Sequence, residues 1–220
     1  MTMPVNRKAV PRAEREALIL DRAAEMFRDA GFHETAVSEL ARACGLTANA
    51  VTYYFPSKDM ILAAVLERWT SAVLDEVGLA EAAGATRADG SPTTVAERFD
   101  MLEAAVGSLD PATGRPGSLA VLIERLRPYR RVYAVVHERM HAASCVARWH
   151  RLSHLLFGTL ITADVERRFG AAPAAGPLAV AVALVENGLL HEQEGTMSAA
   201  ELIENVLDQV HLLHDCRAAG

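Results

Sequence analysis

The sequence predicts an all-α fold, and three observations lead to that prediction. Ala, Leu, Val, Arg and Glu are abundant whereas aromatic residues make up only 5% of the 220 residues, a mixture that favours helix over strand. Apolar residues recur at helical spacing along most of the chain, and no hairpin signal interrupts them. Hydrophobic residues make up 51% of the chain, so a sizeable core is available. The three widely spaced cysteines argue against a disulfide scaffold.

The first two helices are predicted from apolar spacing and from the residues at their ends. The first covers 14–30, and Gly31 follows as a C′ residue that can take positive φ at little cost. Thr35 is expected to cap the second helix, which covers 37–44. Gly45 then ends the second helix.

The third and fourth helices follow directly. Thr47 is the N-cap candidate of the third helix, which must stop near Phe55 because Pro56 disfavours helical geometry in the residue before it. Ser57 is the N-cap candidate of the fourth helix. Three short helices joined by tight turns are typical of a helix-turn-helix DNA-binding unit. Any small bundle also has tight turns rich in Gly and Thr, so the spacing alone leaves both interpretations open.

Beyond residue 60, turn-rich connectors at 83–92, 107–117 and 170–177 separate longer helical stretches. These stretches are expected near 58–82, 93–107, 118–127, 129–169, 178–193 and 198–215. The stretch 129–169 is unusually long for one helix, so we expect an interruption near 143–145. The sequence thus predicts two domains: 1–57, an N-terminal arm with the helix-turn-helix unit, and 58–220, a second helical domain.

Charge and apolar runs restrict the setting. No apolar run approaches the roughly 20 residues that a membrane-spanning helix needs, and the first residues lack the apolar stretch of a signal peptide, so a cytoplasmic protein without membrane contact is expected. Residues 1–60 hold eight Lys/Arg and eight Asp/Glu, so the whole net charge of −6 lies in 61–220. Any contact with nucleic acid must therefore come from a locally arranged surface.

Several motifs recur together within residues 19–65. The stretch opens with Ile-Leu-Asp-x-Ala-Ala-x-x-Phe, continues with Gly31-Phe32 and Thr35, and reaches Tyr-Tyr-Phe-Pro-Ser-Lys at 53–58. Together they resemble the N-terminal domain of the TetR family of bacterial transcriptional regulators. The resemblance implies a helix-turn-helix DNA-binding domain followed by a C-terminal helical domain for ligand binding and dimerisation.

The resemblance also implies which residues contact DNA. By position they are Thr35, Ser38, Thr47, Ala48, Asn49, Ala50, Thr52, Tyr53, Tyr54 and Lys58. Thr35, Thr47 and Ser57 also serve as caps, which alone would explain their presence. One of the two tyrosines is expected to pack inside while the other reaches DNA, and Val51 and Phe55 are expected in the core.

The third helix contains no arginine or lysine, so the commonest guanine contact, a bidentate arginine, is missing there. Asn49 can pair with adenine, and Ala48, Ala50 and the Thr52 methyl group suit thymine methyl groups. Asn49 and Thr52 both depart from the residues usual in the family. We hypothesise that each half-site relies on A·T pairs and on DNA shape.

Two apolar stripes near the C-terminus match the helix pair that forms the family's homodimer interface. They consist of Leu178, Ala181, Val182, Val185 and Leu189, and of Leu202, Val206, Val210 and Leu213. Ordinary core packing within one chain would produce the same stripes. A homodimer has a functional reason, because two recognition helices must meet half-sites about 34–36 Å apart on one face of the DNA.

In this family the middle helices enclose the cavity for a small-molecule effector. Period and bulk nominate as lining residues Trp69, Phe99, Met101, Leu122, Tyr133, His137, Met140, Trp149 and Phe157. Each of them also fits a place in the plain core, as most buried aromatic residues do.

Histidines are frequent and occur in pairs at helical spacing, namely His137/His141, His150/His154 and His211/His214. Such a pair can bind Zn²⁺, but one helix face supplies only two ligands, and a solvated face gives the same pattern. No metal and no cofactor are therefore predicted.

The sequence predicts a homodimeric, ligand-responsive transcriptional regulator, a repressor that binds a palindromic double-stranded DNA operator and is released by a small-molecule effector. No enzyme activity is expected, since none of the motifs GxGxxG, GxxxxGK[ST], HExxH or GxSxG occurs. Two alternatives stay open: an all-helical protein–protein interaction module, and a metal-responsive regulator without an organic ligand.

Overall fold

The computed structural model describes residues 10–77, 94–109, 117–191 and 198–218, and of 189–191 and 211–218 the backbone alone. Within these ranges the chain is helical and contains no strand, as the composition predicts. The helices are α1 (Arg12–Asp29), α2 (Val37–Ala43), α3 (Ala48–Tyr54), α4 (Lys58–Glu76), α5 (Val95–Gly107), α6 (Ser118–Leu126), α7 (Arg130–Arg139), α8 (Ser144–Phe169), α9 (Ala175–His191) and α10 (Ala199–Ala218).

Local signals place most of the helix ends. The predicted caps Thr47 and Ser57 are confirmed, because each side-chain oxygen accepts a hydrogen bond from a backbone N–H in the first turn. Gly31 has a φ of 108°, a conformation that an L side chain rarely adopts, and it ends α1 as predicted. The interruption expected near 143–145 is confirmed between Arg139 and Ser144.

Two predicted boundaries are wrong. Thr35 does not cap α2, because the N-cap residue is Ala36 and no side chain caps that helix. Helix α9 begins at Ala175 rather than near 178, so that Pro177 lies in its first turn. Proline is tolerated there because the first backbone N–H groups of a helix have no partner within the helix.

Helix α4 connects the N-terminal helices to the rest of the molecule. It packs against α1 at one end and against α5 and α8 along its length. Buried side chains from all these helices form one apolar cluster, whose largest members include Phe27, Tyr133, Trp149 and Phe157. Each large apolar side chain removed from water contributes about 1.5–3 kcal/mol, so this shared core holds the two halves together.

Two polar contacts lie inside this core. The Trp149 indole donates to Thr70 Oγ1 at 3.0 Å. The Glu67 side chain is 2% exposed and accepts from Arg98 Nε at 3.0 Å. Burial raises the pKa of Glu67 even though Arg98 opposes that rise. None of the described helices is long and apolar enough to cross a membrane.

Candidate nucleic-acid interface and histidine cluster

The predicted recognition helix is α3, and local chemistry sets both of its ends. Thr47 Oγ1 accepts a hydrogen bond from the Ala50 backbone N–H at 3.1 Å, which starts the helix. Phe55 is extended, as a following proline, Pro56, favours. Val51 and Phe55 are both buried and anchor α3 against the core, so the outward face of α3 is fixed.

The outward face of α3 carries small and polar side chains. Ala48, Asn49 and Thr52 are exposed, Ala50 is half-buried, and Tyr53 is 72% exposed. At about 100° per residue, the four exposed positions lie on one side of the helix. Thr52 donates its hydroxyl hydrogen to the Ala48 carbonyl oxygen at 2.9 Å, so that hydrogen is already used within the helix.

One tyrosine of the pair packs inside, as the sequence predicts, and the DNA contact of the other stays a prediction. Tyr54 is half-buried and packs against the core, whereas Tyr53 points to solvent. Their rings meet edge to face with centroids 5.3 Å apart. The Arg12 guanidinium lies over both rings, at 5.5 Å from the Tyr53 centroid and 5.3 Å from the Tyr54 centroid. A cation from α1 is thereby held beside α3, which has none of its own.

Two residues predicted to contact DNA, Thr35 and Lys58, hydrogen-bond to backbone oxygens of the chain itself. The Thr35 side chain is 1% exposed and donates to the Gly31 carbonyl oxygen at 2.8 Å, so it closes the α1–α2 turn and cannot reach a phosphate. Ser38 remains exposed in the first turn of α2. The error arises because the residue that looks like a cap in sequence is turned inward by the fold of the turn.

Lys58, the first residue of α4, also binds the α1–α2 turn. Its ammonium group donates to the carbonyl oxygens of Phe32 at 2.6 Å and of Thr35 at 2.9 Å, and lies 4.3 Å from the centroid of the Phe32 ring. Burial lowers the pKa of Lys58. The structure therefore places Lys58 as a clamp on the α1–α2 turn, and its phosphate contact stays a prediction.

The predicted effector-cavity residues differ widely in exposure. Phe99, Leu122, Tyr133, Trp149 and Phe157 are fully packed in the core. Trp69, His137 and Met140 are half-buried. Met101 is 41% exposed, and its place in a cavity stays a prediction. Bulk and helical period identify residues that avoid water, but they do not distinguish a packed interior from a cavity wall.

A different group of side chains meets where α7, α8 and α9 join. His137 lies on α7, His150 and His154 lie on α8, and Glu186 lies on α9; we call these four the histidine–glutamate cluster. His150 Nε2 is 3.3 Å from His137 Nε2, and His154 Nε2 is 2.8 Å from Glu186 Oε1. Tyr133 donates its hydroxyl to Glu186 Oε1 at 2.5 Å.

The environment of the histidine–glutamate cluster shifts two pKa values. Burial, with a further effect from His154 and His137, lowers the pKa of His150 to about 4, so its imidazole is neutral at neutral pH. Burial and the Glu186 carboxylate raise the pKa of the Tyr133 hydroxyl, which therefore remains a hydrogen-bond donor. Neutral imidazole is the form that offers a lone pair.

The histidines were predicted to pair along single helices, as His137/His141 and His150/His154, and this pairing is wrong. In the structure His137 lies with both His150 and His154, and His141 is exposed in a turn. The His211/His214 side chains lie outside the described residues. Glu186 was missed, although a lone carboxylate at the end of the apolar run 178–185 is the signal that could have found it.

The residues next to His137 reach the N-terminal helices. Arg139 donates from Nε and Nη2 to the two carboxylate oxygens of Asp59, both at 2.8 Å, at the start of α4. Glu138 lies 2.9 Å from His33 in the α1–α2 turn. Helix α7 therefore connects the histidine–glutamate cluster with the helices that carry α3.

The two predicted dimer stripes lie mostly inside the chain. Ala181, Val185, Val206 and Val210 are at most 2% exposed, because α9 and α10 pack against each other. Val182 is 6% exposed, while Leu178 and Leu202 are half-buried. The side chains of Leu189 and Leu213 lie outside the described residues. The assignment of these stripes to a dimer interface is therefore wrong for the buried members, which are core.

Among the described residues, one exposed apolar surface lies between α8 and α9. Leu155, Val180 and Leu184 are 48%, 45% and 37% exposed. Beside them runs a groove of about 530 Å³, lined by His154, Leu155, Gly158, Thr159, Thr162, Ala175, Leu178, Ala179, Val182 and Ala183. Its lining is largely apolar and built from small side chains on both helices.

The N-terminal helices are similar to those of known regulators. The family model for bacterial regulatory proteins of the tetR family matches residues 19–65. The HTH-type transcriptional regulator YuxN of Bacillus subtilis (strain 168) is 38% identical over 53 residues, which are 24% of this chain and 18% of that protein.

Two solved structures are similar over nearly the whole chain. A regulator of the TetR/AcrR family from Thermobifida fusca YX-ER1 gives a TM-score of 0.52 at 18% identity, covering 90% of this chain and 96% of that chain. A protein from Saccharomonospora viridis, described as a transcriptional regulator and solved in complex with choline, gives 0.54 at 17% identity, with coverage of 90% and 96%. At such identities the likeness shows the shared fold, an N-terminal helix-turn-helix domain followed by a helical domain.

Proposed function

Because this chain belongs to the tetR family of bacterial regulatory proteins, we propose that it is a repressor that binds a palindromic DNA operator as a homodimer. A small effector bound in the C-terminal domain releases it. The observation that carries this proposal is the outward face of α3, where Ala48, Asn49, Thr52 and Tyr53 are exposed while Val51 and Phe55 fix the helix from behind. Such a chain acts where the chromosome is, in the bacterial cytoplasm.

The side chains of α3 indicate how the operator is recognised. The Asn49 amide can donate to and accept from one adenine edge, and the Ala48 and Thr52 methyl groups suit thymine. Tyr53 and the neighbouring Arg12 extend the same surface toward the DNA backbone. With few cations on this surface, we propose that each half-site is specified mainly by A·T pairs.

The groove between α8 and α9 supports the homodimer. A single recognition helix covers only one half-site, so the proposed function needs a second copy of the chain. The exposed apolar side chains Leu155, Val180 and Leu184 provide a surface that a twofold partner can cover with the same residues. We therefore transfer the dimer interface from the predicted α9–α10 stripes to the α8–α9 surface.

We also retain the division into 1–57 and 58–220 as a proposal about function. Residues before Ser57 present α3, and the helices after it hold the proposed effector and dimer sites. The buried core that joins the two parts through α4 is the route by which an effector can move α3.

The test is a mobility-shift assay with the DNA upstream of the chain's own gene. We expect the wild-type dimer to shift this DNA, and we expect Asn49→Ala and Tyr53→Ala each to weaken binding. The cost is about 1–3 kcal/mol, a factor of roughly 5–150 per half-site. Asn205→Ala, at an exposed asparagine on α10, is the matched control and should bind like wild type. Failure of the folded wild-type dimer to bind any duplex would favour a protein-binding module.

A further inference from the structure

The histidine–glutamate cluster has the composition and spacing of a metal site. We propose that His137, His150, His154 and Glu186 bind a divalent transition-metal ion, with Zn²⁺ as the best match. The binding of the ion stands on the cluster alone, whereas its regulatory consequence rests on the proposed function. The effector of the proposed function is then a divalent transition-metal ion.

The four candidate ligand atoms already lie close together. One candidate atom from each of the four side chains lies within 4.8 Å of all the others. In a tetrahedral Zn²⁺ site with bonds of about 2.0–2.1 Å, neighbouring ligand atoms are about 3.3 Å apart. The nitrogens of His137 and His150 are 3.3 Å apart, and His137 Nε2 is 3.9 Å from Glu186 Oε2. Small side-chain rotations therefore complete the site.

Hydrogen bonding leaves one of the candidate ligand atoms without a partner. His154 Nε2 lies 2.8 Å from Glu186 Oε1, yet it is buried and makes no hydrogen bond with any described residue. The contact is therefore an ion-pair distance without hydrogen-bond geometry, and a cation bound by both side chains would give the nitrogen lone pair a partner. His137 and His150 likewise direct one ring nitrogen each at the other, an arrangement in which only one of the two can donate.

The ligand set favours one class of ion. Three imidazoles and one carboxylate suit Zn²⁺ and its neighbours in the first transition row, whereas Mg²⁺ and Ca²⁺ prefer oxygen ligands alone. Glu186 is 7% exposed and brings a negative charge that a divalent cation compensates. The side chain of His137, which does not line the α8–α9 groove, is 34% exposed, so an ion can reach the cluster from solvent on that side.

The surroundings also resemble those of a metal site. The Tyr133 hydroxyl donates to Glu186 Oε1 and orients the carboxylate, as outer-shell groups do around bound metals. Tyr133 is 1% exposed and packs edge to face on Trp149, so its position is fixed by the core. The carboxylate is thereby held in place before any ion binds.

The site sits where an ion can influence the DNA-binding helices. An ion held by all four side chains ties α7 to α8 and α9. The next two residues after His137 are Glu138, beside His33, and Arg139, paired with Asp59. A shift of α7 on metal binding therefore acts directly on the α1–α2 turn and on the start of α4.

The test measures metal binding without DNA. Protein freed of metal with EDTA is titrated with Zn²⁺ by calorimetry, and with Co²⁺ while recording the visible bands of tetrahedral Co²⁺. We expect one ion per chain and tetrahedral bands. His150→Ala and Glu186→Gln should each weaken Zn²⁺ binding more than about 100-fold, and Tyr133→Phe, which removes an outer-shell partner, about 10–100-fold. His141→Ala, at an exposed histidine outside the cluster, should bind like wild type.

Several outcomes would overturn the proposal. Wild type that takes up no Zn²⁺, or variants of the cluster that bind it as wild type does, would refute the site. Thermal melting of each variant in EDTA separates loss of a ligand from loss of the fold, and Glu186→Gln keeps the size of the side chain. The mobility shift is then repeated with and without Zn²⁺: metal binding that leaves operator affinity unchanged would refute the regulatory consequence alone, whereas failure to bind DNA under either condition would refute the proposed function and leave the metal site standing.

Discussion

Replacing Lys58 distinguishes its position in the structure from the phosphate contact that the sequence suggests. In Lys58→Met the apolar stem is kept, but the carbonyl oxygens of Phe32 and Thr35 lose a charged donor at 2.6 and 2.9 Å. Hydrogen bonds to charged groups contribute about 1.5–3 kcal/mol each, and the partial burial that lowers the pKa of Lys58 shows that desolvation offsets part of this. We expect a net loss of roughly 1.5–3 kcal/mol, or about 3–12 °C in melting temperature for a chain of this size.

Two assays together decide between the roles. Thermal melting followed by circular dichroism reports stability, with Arg42→Met as the control because the Arg42 side chain is 81% exposed. The control should change stability by less than about 0.5 kcal/mol. The salt dependence of operator binding reports phosphate contacts, because each contact adds about 0.9 to the slope of log K against log salt. For Lys58→Met we expect lower stability and an unchanged slope. If Lys58→Met is instead as stable as wild type and its slope is reduced by about 1.8 per dimer, Lys58 binds phosphate.

Two further perturbations test the dimer surface and the buried ion pair. Leu184→Glu places a charge on the apolar α8–α9 surface and should lower the mass measured by light scattering from twice 23.7 kDa toward 23.7 kDa. The control Met101→Glu, on α5, should leave the dimer intact. A Leu184→Glu variant that remains dimeric would contradict the proposed interface. Because burial raises the pKa of Glu67 in the folded state, the folded chain holds that proton more tightly than the unfolded chain, and the free energy of unfolding should fall as pH rises above the ordinary value of 4.5. Urea unfolding measured from pH 4.5 upward should show this fall in the free energy of unfolding for wild type and not for Glu67→Gln. Equal pH profiles of that free energy in the two proteins would contradict the raised pKa of Glu67.

The N-terminal helices were largely predictable because local chemistry determines them. Thr47, Ser57, Gly31 and Pro56 act within one turn of their own positions, so the sequence around each one is sufficient. Thr35 looked like the same kind of residue. Its hydroxyl instead closes the turn before α2, because the chain between α1 and α2 folds back on Gly31.

The C-terminal helices were predictable as elements but not as surfaces. An apolar stripe indicates which side of a helix avoids water, and the stripes through Val185 and Val206 do so. It does not indicate whether the covering partner is the same chain or a second one. Here α9 and α10 cover each other. The exposed apolar surface instead includes Leu155 and Leu184, on a face where apolar residues do not recur at regular helical spacing.

The histidine–glutamate cluster was not predictable from pairs at helical spacing. Its four members are separated by up to 49 positions and come together only when three helices pack. Pairing His150 with His154 finds two ligands at most, and the other two come from α7 and α9. Tertiary packing alone turns these scattered residues into a site.

Selection of bound duplexes from a random DNA pool tests the central claim most directly, because it reports what α3 recognises and how many times. We predict an enriched palindrome whose two half-sites lie about one helical turn apart or a multiple of it, with A·T pairs at the positions that depend on Asn49. Repeating the selection with Asn49→Ala should relax those positions and leave the spacing unchanged. A single unpaired site, or guanines at the positions that Asn49→Ala alters, would show that α3 does not recognise A·T pairs in two half-sites.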